Sequence, residues 1–244
     1  MAEKSDAFSF KDGEKMRINR YLSEAGFCSR RSADRLIEQG RVTINGKQAV
    51  LGDKADAESE VRVDGKRISY EKKLILLAFN KPCGIECTCE PENPDNIIDF
   101  IDFENRVFPV GRLDKNSRGL ILLTNDGNAA NRILKASNFH EKEYVVKVDR
   151  PVTEKFLSGM SKGVPVLGTT TRECVLKKTG EREFHITITQ GLNRQIRRMC
   201  SHFGYNVTDL KRTRIINIRL GDLKSGEVRS CTDEEIKTLF EIIK

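Results

Sequence analysis

The stretch Phe108-Pro-Val-Gly-Arg-Leu-Asp-Lys-Asn-Ser-Arg-Gly-Leu-Ile-Leu-Leu-Thr-Asn-Asp-Gly127 contains two apolar segments separated by a polar loop. Residues 107–110 and 120–123 are short and apolar, as buried strands are, and the glycines at 111, 119 and 127 mark sharp turns or close backbone approaches. This pattern predicts that Asp114 lies on a fixed loop between two strands.

Three cations surround that aspartate in the sequence, namely Arg112, Lys115 and Arg118. Nearby positive charge favours the charged form of an acid, so we expect the Asp114 carboxylate to be ionised near neutral pH. An anionic oxygen on a rigid loop is suited to chemistry on a polyanion. Most such clusters are structural, however, and the loop alone favours a surface ion-pair network over catalysis.

Length and composition narrow the class of protein. A chain of 244 residues can bury a sizeable core, and its length suits two unequal domains. The net charge of +7 favours an acidic partner, of which nucleic acid is the commonest. No apolar run reaches the roughly 20 residues needed to cross a bilayer, and residues 1–15 lack the apolar centre of a signal peptide. We therefore expect a soluble, cytoplasmic protein that does not bind membranes.

The cysteines and histidines do not indicate a metal site. Seven scattered cysteines are an odd number for a disulfide framework, so we expect reduced thiols. Cys83, Cys87 and Cys89 lack the paired Cys-x-x-Cys spacing of structural zinc sites, and the three histidines are widely dispersed. The sequence also contains no Walker loop and no Gly-x-Gly-x-x-Gly. The expectation is neither a metal nor a nucleotide cofactor.

The N-terminal segment predicts a tail followed by a small helical and β-hairpin unit. Residues 1–15 are charged and aperiodic, which predicts a disordered tail. Helical spacing begins near Ile18, and Ser29 is a plausible N-cap for a second helix that ends near Gln39. Asn45-Gly46 between alternating residues predicts a hairpin. Cations at the start of the second helix oppose its macrodipole, which hints at a use other than stability.

Three motifs in this segment resemble the S4 RNA-binding domain: Arg17-Ile-Asn-Arg-Tyr-Leu22, Cys28-Ser-Arg-Arg-Ser-Ala33 and Gly40-Arg-Val-Thr-Ile-Asn-Gly46. The resemblance implies that residues 16–72 present a basic helix flank to structured RNA. By charge clustering alone, such a flank is more often a solvated face. The RNA-contacting residues that it implies are Arg17, Arg20, Arg30, Arg31, Arg35 and Lys47.

Residues 69–73 form a charged connector, and residues 74–244 predict one mixed α+β domain. The pattern is strands with interspersed helices, not a regular βαβ series. Strands are predicted over residues 74–79, 144–148, 172–177, 184–189 and 215–220. Helices are predicted over residues 96–103, 129–134, 153–160 and 196–203, and after a capping box formed by Thr232 and Glu235.

Four motifs occur in a fixed order in this second segment: Asn80-Lys-Pro-x-Gly84; Gly111-Arg-Leu-Asp114 with Ser117-x-Gly-Leu120; Lys142-x-Tyr144; and Gly191-Leu-Asn-Arg-Gln-Ile-Arg-Arg-Met199. Together they resemble the small-subunit type of ribosomal pseudouridine synthase, which joins an S4 domain to a catalytic domain. The implied fold is α+β, with an S4-like domain followed by a mainly antiparallel β-sheet flanked by helices. Within that group, residues 96–99, 140–147 and 163–168 are most similar to a large-ribosomal-subunit member.

The resemblance implies isomerisation of uridine to pseudouridine in structured RNA, with 23S ribosomal RNA as the leading substrate and transfer RNA as a second candidate. The ribose–N1 bond breaks and the same ring rejoins through C5, so no cofactor is needed. Asp114 matches the essential aspartate, which either adds to the sugar or takes a proton from it. Arg197 matches its basic partner, and Tyr144 matches a tyrosine that can stack on the uracil.

A base that is stacked in folded RNA is unreachable, so the enzyme is expected to flip it into a pocket. Arg112 matches the side chain that fills the vacancy. Any single cation nearby is equally well read as a generic surface charge. The remaining candidates for holding phosphates are Arg194, Arg198, Lys211, Arg212 and Arg214.

Three alternatives remain open from the sequence. A sibling synthase would modify a different ribosomal RNA uridine. A non-catalytic RNA-binding or ribosome-assembly factor would keep the fold, although the joint presence of Asp114, Tyr144 and Arg197 disfavours it. A glycosidase would need a second carboxylate, which only Asp126 or Glu143 supplies nearby in sequence. With no obvious exposed apolar helix face, a monomer is expected.

Overall fold

The computed structural model describes residues 15–56, 58–70 and 74–244. Residues 1–14 of the predicted disordered tail and residues 71–73 of the predicted connector lie outside the described residues. Lys15, the last residue of the predicted tail, is described. Contacts between Cα atoms divide the chain into two compact units. Among the described residues, the first unit contains those up to Ile75 with residues 104–107 and 125–127, and the second contains the remainder. No helix in the described ranges is long and apolar enough to cross a membrane.

In its described residues, the first unit combines two short helices with six short strands. Its strands β2, β3, β5 and β6 form one sheet in the order β3-β2-β5-β6, and β1 pairs with β4. The elements are β1 Met16–Arg17, α1 Ile18–Glu24, α2 Arg30–Glu38, β2 Val42–Ile44, β3 Lys47–Gln48, β4 Lys54–Ala55, β5 Val61–Val63 and β6 Lys66–Arg67.

Local sequence signals in this unit are confirmed by the structure. The Ser29 side chain accepts a hydrogen bond from the Ser32 amide at 3.1 Å and so caps α2. The β2–β3 hairpin turns at Asn45 and Gly46, whose φ angles of 50° and 78° both lie in the left-handed region. This is the type I′ geometry that an Asn-Gly pair favours.

The second unit contains a large sheet with helices packed around it. The order of elements follows the interspersed pattern predicted from the sequence. They are β7 Leu76–Lys81, α3 Ile97–Ile101, β8 Phe108–Pro109, β9 Arg118–Thr124, α4 Gly127–Leu134, β10 Lys142–Val148, α5 Glu154–Ser161, β11 Pro165–Val166, β12 Thr169–Thr170, β13 Val175–Gly180, β14 Glu183–Ile188, α6 Gln195–His202, β15 Val207–Ile215, β16 Ile218–Arg219, β17 Val228–Ser230 and α7 Asp233–Ile242.

The large sheet is mixed but mainly antiparallel, as predicted. Its strand order is β13-β14-β10-β15-β9-β7-β17, with β16 paired to β15 and β8 paired to β9. Among the described strands of this sheet, the β15–β9 pair is parallel and the other pairs are antiparallel. One core cluster joins Leu120 and Leu122 of β9 to Ile215, Ile218 and, from α7, Leu239.

One long strand was missed by the sequence pattern. A strand was predicted over residues 215–220, where the structure has the short β16 at Ile218–Arg219, but the main strand β15 covers Val207–Ile215 and the chain turns at Ile216, whose φ is 54°. The strand contains Arg212, which is only 3% exposed. Because a charged residue occupies a buried position, the apolar alternation that identifies a strand is interrupted there.

Gly119 allows the parallel strands β9 and β15 to approach closely, and this gives a first prediction. Its φ is 102°, and a Cβ atom at this position would lie 2.7 Å from the Arg212 amide nitrogen and overlap the Arg212 carbonyl oxygen. Gly119→Ala should therefore lower the free energy of unfolding by at least about 3 kcal/mol, since backbone strain adds to a clash with fixed backbone. Urea unfolding measures this change. Gly221→Ala, at a positive φ with open space around it, is the control, and an equal loss in both variants would contradict the close-approach explanation.

Candidate active site

Asp114 lies on the loop between β8 and β9, as predicted, and the backbone of that loop is fixed. The Asp114 carbonyl accepts a hydrogen bond from the Ser117 amide at 2.9 Å. The neighbouring Lys115 carbonyl accepts from the Gly84 amide at 2.9 Å and from the Lys81 ammonium at 3.4 Å. Lys81 is fully buried. The loop therefore holds its carboxylate in one place.

Two arginines lie beside the Asp114 carboxylate. Arg197 Nε and Arg194 Nη1 are each 3.7 Å from Asp114 Oδ2. The Arg197 side chain is 15% exposed and the Arg194 side chain 48%, while that of Asp114 is 30% exposed. The carboxylate thus faces one largely buried and one exposed guanidinium and stays partly open to solvent.

Two of the cations near Asp114 in the sequence form ion pairs with other carboxylates. Lys115 Nζ lies 2.7 Å from Asp95 and 3.2 Å from Glu86. Arg118 makes a two-pronged contact with Asp209, at 2.8 and 2.6 Å. Lys115 and Arg118, which were expected to help keep Asp114 ionised, are thus paired with other carboxylates that folding brings to them.

A cavity of about 750 Å³ adjoins the Asp114 loop. This volume lies in the range of small-molecule and cofactor sites, which is roughly 300–1,000 Å³. Five of the residues predicted to act in catalysis or RNA contact line it: Arg112, Asp114, Tyr144, Arg194 and Arg212. The fold therefore brings together side chains from the β8–β9 loop, β10, β15 and the segment before α6.

Tyr144 and Arg212 are neighbours in the sheet. Tyr144 of β10 is 7% exposed and lies directly opposite Arg212 of β15. Arg212 donates hydrogen bonds from Nε to the Leu120 carbonyl at 2.6 Å and from Nη1 to the Tyr144 hydroxyl at 3.4 Å. Arg212, proposed as a phosphate contact, is therefore a buried residue of the cavity wall with only 3% of its surface exposed.

Arg214, another candidate phosphate contact, is already paired with carboxylates. Its side chain is 14% exposed and donates to Glu141 at 2.9 Å and to Glu143 at 3.0 Å. Two carboxylates therefore already neutralise it. Of the other cations proposed in this unit, Arg112 and Arg198 are exposed and Lys211 is half-buried.

The basic residues predicted in the first unit are mostly accessible. Arg20 is partly committed, because its Nε donates to Glu24 at 2.8 Å. Arg30 and Arg31 form the first turn of α2, where both are exposed. The other exposed cations of this group are Arg17, Arg35 and Lys47.

Two cavity residues were not singled out for a role from the sequence. His140 is 6% exposed, and its Nδ1 lies 3.0 Å from the Ile133 carbonyl. Lys142 lines the same cavity, and burial together with the nearby Arg212 charge lowers the pKa of its ammonium to about 8. The signal for Lys142 was present, since it begins the Lys142-x-Tyr144 motif, but the sequence does not reveal its burial.

The depressed Lys142 pKa predicts a pH-dependent stability difference. Below pH 8 the folded protein holds a poorly solvated charge, and between pH 8 and 10.5 the folded state releases a proton that the unfolded chain retains, so stability rises through this window. At pH 7 the free energy of unfolding of Lys142→Met should therefore exceed that of the wild type by about 2 kcal/mol after allowance for partial exposure. Most of this difference should be lost by about pH 10, and urea unfolding at the two pH values measures it. A pH-independent difference would contradict this assignment.

The carboxylates proposed for a glycosidase do not join Asp114. Neither Asp126 nor Glu143 lines the cavity, whereas the lining residue Glu86 is paired with Lys115 at 3.2 Å.

The structure describes all seven cysteines, and each is a free thiol. Within the described ranges, no group of three His, Cys, Asp or Glu side chains could hold a metal ion.

Comparisons with known proteins agree with this architecture. The family model described as RNA pseudouridylate synthase matches residues 75–202, and the S4 domain model matches residues 16–61. The chain is 54% identical over 231 residues to the dual-specificity RNA pseudouridine synthase RluF of Escherichia coli strain K12, covering 94% of this chain and 80% of that one. It is 32% identical over 232 residues to the ribosomal large subunit pseudouridine synthase B of Bacillus subtilis strain 168, covering 91% and 95%.

A solved structure gives the same result at the level of the fold. A crystal structure of a pseudouridylate synthase superimposes with a TM-score of 0.67 at 29% identity, covering 92% of this chain and 99% of that one. Motifs, fold and relatives thus agree over nearly the whole chain. The protein belongs to the RNA pseudouridine synthases and consists of an S4 domain followed by the catalytic domain.

Proposed function

We propose that Asp114, Arg197 and Tyr144 carry out the uridine isomerisation of this family, and that the substrate is ribosomal RNA, with transfer RNA as a second class. The name of the Bacillus subtilis relative supports ribosomal RNA as a target, and the dual specificity in the name of the Escherichia coli relative supports a second class of RNA. The observation that carries the site is the Asp114 carboxylate, which lies at the cavity with an arginine Nε and an arginine Nη1 each 3.7 Å away.

The reaction makes modest demands that these groups meet. The N1–ribose bond breaks with its electron pair on the uracil, C5 forms the new bond to the ribose, C5 releases a proton and N1 gains one. Asp114 supplies either the nucleophile for the sugar or the base that removes a sugar proton. Arg197 holds that carboxylate, and Tyr144 contacts the uracil ring from β10.

A flipped nucleotide would enter at the Arg112 side of the cavity. Arg112 is exposed and lines the cavity two residues before Asp114, so its side chain is placed to fill the gap left in the RNA stack. Arg194, 48% exposed beside the same carboxylate, can turn toward a phosphate without unfolding any element.

We propose that the S4 domain spans residues 16–72 and the catalytic domain residues 74–244, and that the protein acts as a cytoplasmic monomer. Free thiols at all seven cysteines suit a reducing compartment. In the S4 domain, exposed Arg30 and Arg31 would contact phosphates and so supply affinity and orientation.

Tritium release tests the proposed function. Ribosomal and transfer RNA carrying tritium at uridine C5 should release it to water when incubated with the protein, because C5 exchanges its hydrogen for a bond to the ribose. RNA tritiated at uridine C6 is the matched control and should release none. Binding of both RNAs without tritium release would support a non-catalytic assembly factor and would sink the enzyme assignment.

Charge reversal tests the S4 contribution. In the double variant Arg30→Glu/Arg31→Glu, the new carboxylates lie at a helix N-terminus where the macrodipole favours them, so the fold should remain stable. RNA affinity should fall, and the slope of log affinity against log salt should decrease by about 2, one for each lost phosphate contact. The control Lys155→Glu/Lys237→Glu makes the same charge change at two exposed helix positions of the catalytic domain. Equal effects in the two double variants would mean that only net charge matters.

A further inference from the structure

Arg212 is a permanently charged side chain buried at the centre of the catalytic sheet. It is 3% exposed, and its strand β15 lies between β10 and β9. Its Nη2 atom is buried and has no hydrogen-bond partner, and within the described ranges no carboxylate forms an ion pair with it. A buried charge without a counter-ion destabilises a fold. Stability alone therefore does not explain an arginine at this position.

The strand register places Arg212 against Tyr144. The two residues are direct partners in the antiparallel β10–β15 pair, and such partners project from the same face of a sheet. A β-bulge between Glu143 and Tyr144 interrupts the register just before the tyrosine, and bulges re-aim the side chains beside them. On its other side Arg212 lies opposite Gly119, which has no side chain. Tyr144 is thus the cross-strand side chain that Arg212 reaches.

The hydrogen-bonding capacity of the two groups fixes the direction of the proton. A guanidinium has donors only, so in the 3.4 Å contact the Tyr144 hydroxyl must accept from Arg212 Nη1. The hydrogen of that hydroxyl is then left to point elsewhere, and both residues line the cavity. We propose that Arg212 is a positioning residue for Tyr144, which turns the phenolic hydrogen toward the flipped nucleotide.

This role rests on the proposed function, in which Tyr144 contacts the uracil. When the N1–ribose bond breaks, the electron pair stays on the uracil and its carbonyl oxygens become stronger acceptors. A hydroxyl that already accepts from a cation is a stronger donor, because hydrogen bonds in a chain polarise one another. The Arg212–Tyr144 pair would hold the detached ring through its most negative state, before C5 is joined to the ribose.

A double-mutant cycle tests this inference. Arg212→Met and Tyr144→Phe should each lower kcat for tritium release about 10- to 100-fold with KM changed less than about threefold. Because both variants break one chain of bonds, adding Arg212→Met to Tyr144→Phe should reduce kcat less than about threefold further. If the double variant shows the product of the two single losses, Arg212 does not act through the hydroxyl. Loss of RNA affinity with a lower salt slope would instead identify a phosphate contact and overturn the proposal.

A second substitution tests the same inference without relying on the folding of Arg212→Met. Arg212→Lys keeps the charge but cannot reach the Leu120 carbonyl and the Tyr144 hydroxyl together, so it should lower kcat in the wild-type background and change it little in Tyr144→Phe. Equal losses in both backgrounds would refute the positioning role. Arg219→Met, an exposed arginine on β16, is the control. An inactive wild-type protein would refute the proposed function, whereas an active one with additive variants would refute only the inference.

Discussion

Asp114→Asn should abolish tritium release from C5-labelled RNA, with kcat reduced by at least about 10³-fold. An amide has nearly the shape of the carboxylate but neither attacks a sugar carbon nor accepts a proton at neutral pH. Affinity for RNA should change less than about threefold, because the substitution removes a negative charge from a positively charged cavity rim and adds no bulk. Single-turnover release and filter binding on the same RNA measure the two quantities.

The matched control for this substitution is Asp222→Asn, an exposed aspartate in the turn after Leu220. It changes the net charge equally and should leave the rate within about twofold, as surface substitutions usually do. Turnover retained by Asp114→Asn would show that another group performs the chemistry. Loss of RNA binding together with turnover would mean that Asp114 organises the binding surface and has no direct part in the reaction.

Short-range signals in the sequence predicted the local structure well. Ser29 caps α2, Asn45-Gly46 turns the hairpin, and Thr232 with Glu235 forms the capping box of α7. Each signal depends on residues within a few positions of one another, so the backbone geometry that it favours is independent of the rest of the fold. The same reasoning placed Asp114 on a loop between strands.

Ion-pair partners could not be predicted in this way. Lys115 pairs with Asp95, and Arg118 pairs with Asp209, which is 91 residues away in the chain. Sequence proximity suggested that both would contact Asp114, but the strand order decides which carboxylates approach. The ordered motifs correctly predicted that Arg197 lies beside Asp114. A family motif reflects which residues meet in the folded structure, whereas the spacing of charges along the chain does not.

The burial of charged side chains was the second feature that could not be predicted from the sequence. Arg212 and Lys142 resemble surface cations in the sequence, yet both line the cavity, and Arg212 is almost completely buried. Strand periodicity predicts apolar residues at buried positions. A buried cation interrupts that pattern, so neither the strand nor the burial of the cation can be predicted from it. Such mismatches between sequence pattern and structure are expected at functional or strained sites, and both residues line the cavity.

Arg197 is the second substitution for which we expect a large effect. Its guanidinium joins three parts of the catalytic domain: Nη1 donates to the Val207 carbonyl at 3.1 Å, and Nη2 donates to the Asn116 carbonyl at 2.8 Å and to Ser117 Oγ at 3.1 Å. Its Nε, buried and without a hydrogen-bond partner, lies 3.7 Å from Asp114 Oδ2. Arg197 thus fixes the Asp114 loop to α6 and to the start of β15, and also faces the carboxylate.

Arg197→Met should lower kcat at least about 10²-fold, because the carboxylate loses its fixed ionic partner and the loop loses its anchor. The free energy of unfolding should fall by about 2 kcal/mol, since two backbone carbonyls and a hydroxyl lose a charged donor. Arg197→Lys keeps the charge but cannot reproduce the planar fork, so its kcat should lie between those of the methionine variant and the wild type. Tritium release and urea unfolding measure these changes.

The lysine variant separates the two roles of Arg197, which are to place a charge beside Asp114 and to anchor the loop. If charge beside Asp114 dominates, Arg197→Lys should recover most of kcat while remaining less stable than the wild type. If anchoring of the loop dominates, kcat should follow stability, and both substitutions should reduce it in proportion to their loss of unfolding free energy. Arg182→Met, an exposed arginine in the turn between β13 and β14, controls for loss of a guanidinium. Because Nε alone approaches the carboxylate while both Nη atoms are committed to the fold, we expect intermediate activity in the lysine variant with a clear loss of stability. Wild-type activity at wild-type stability would contradict both roles.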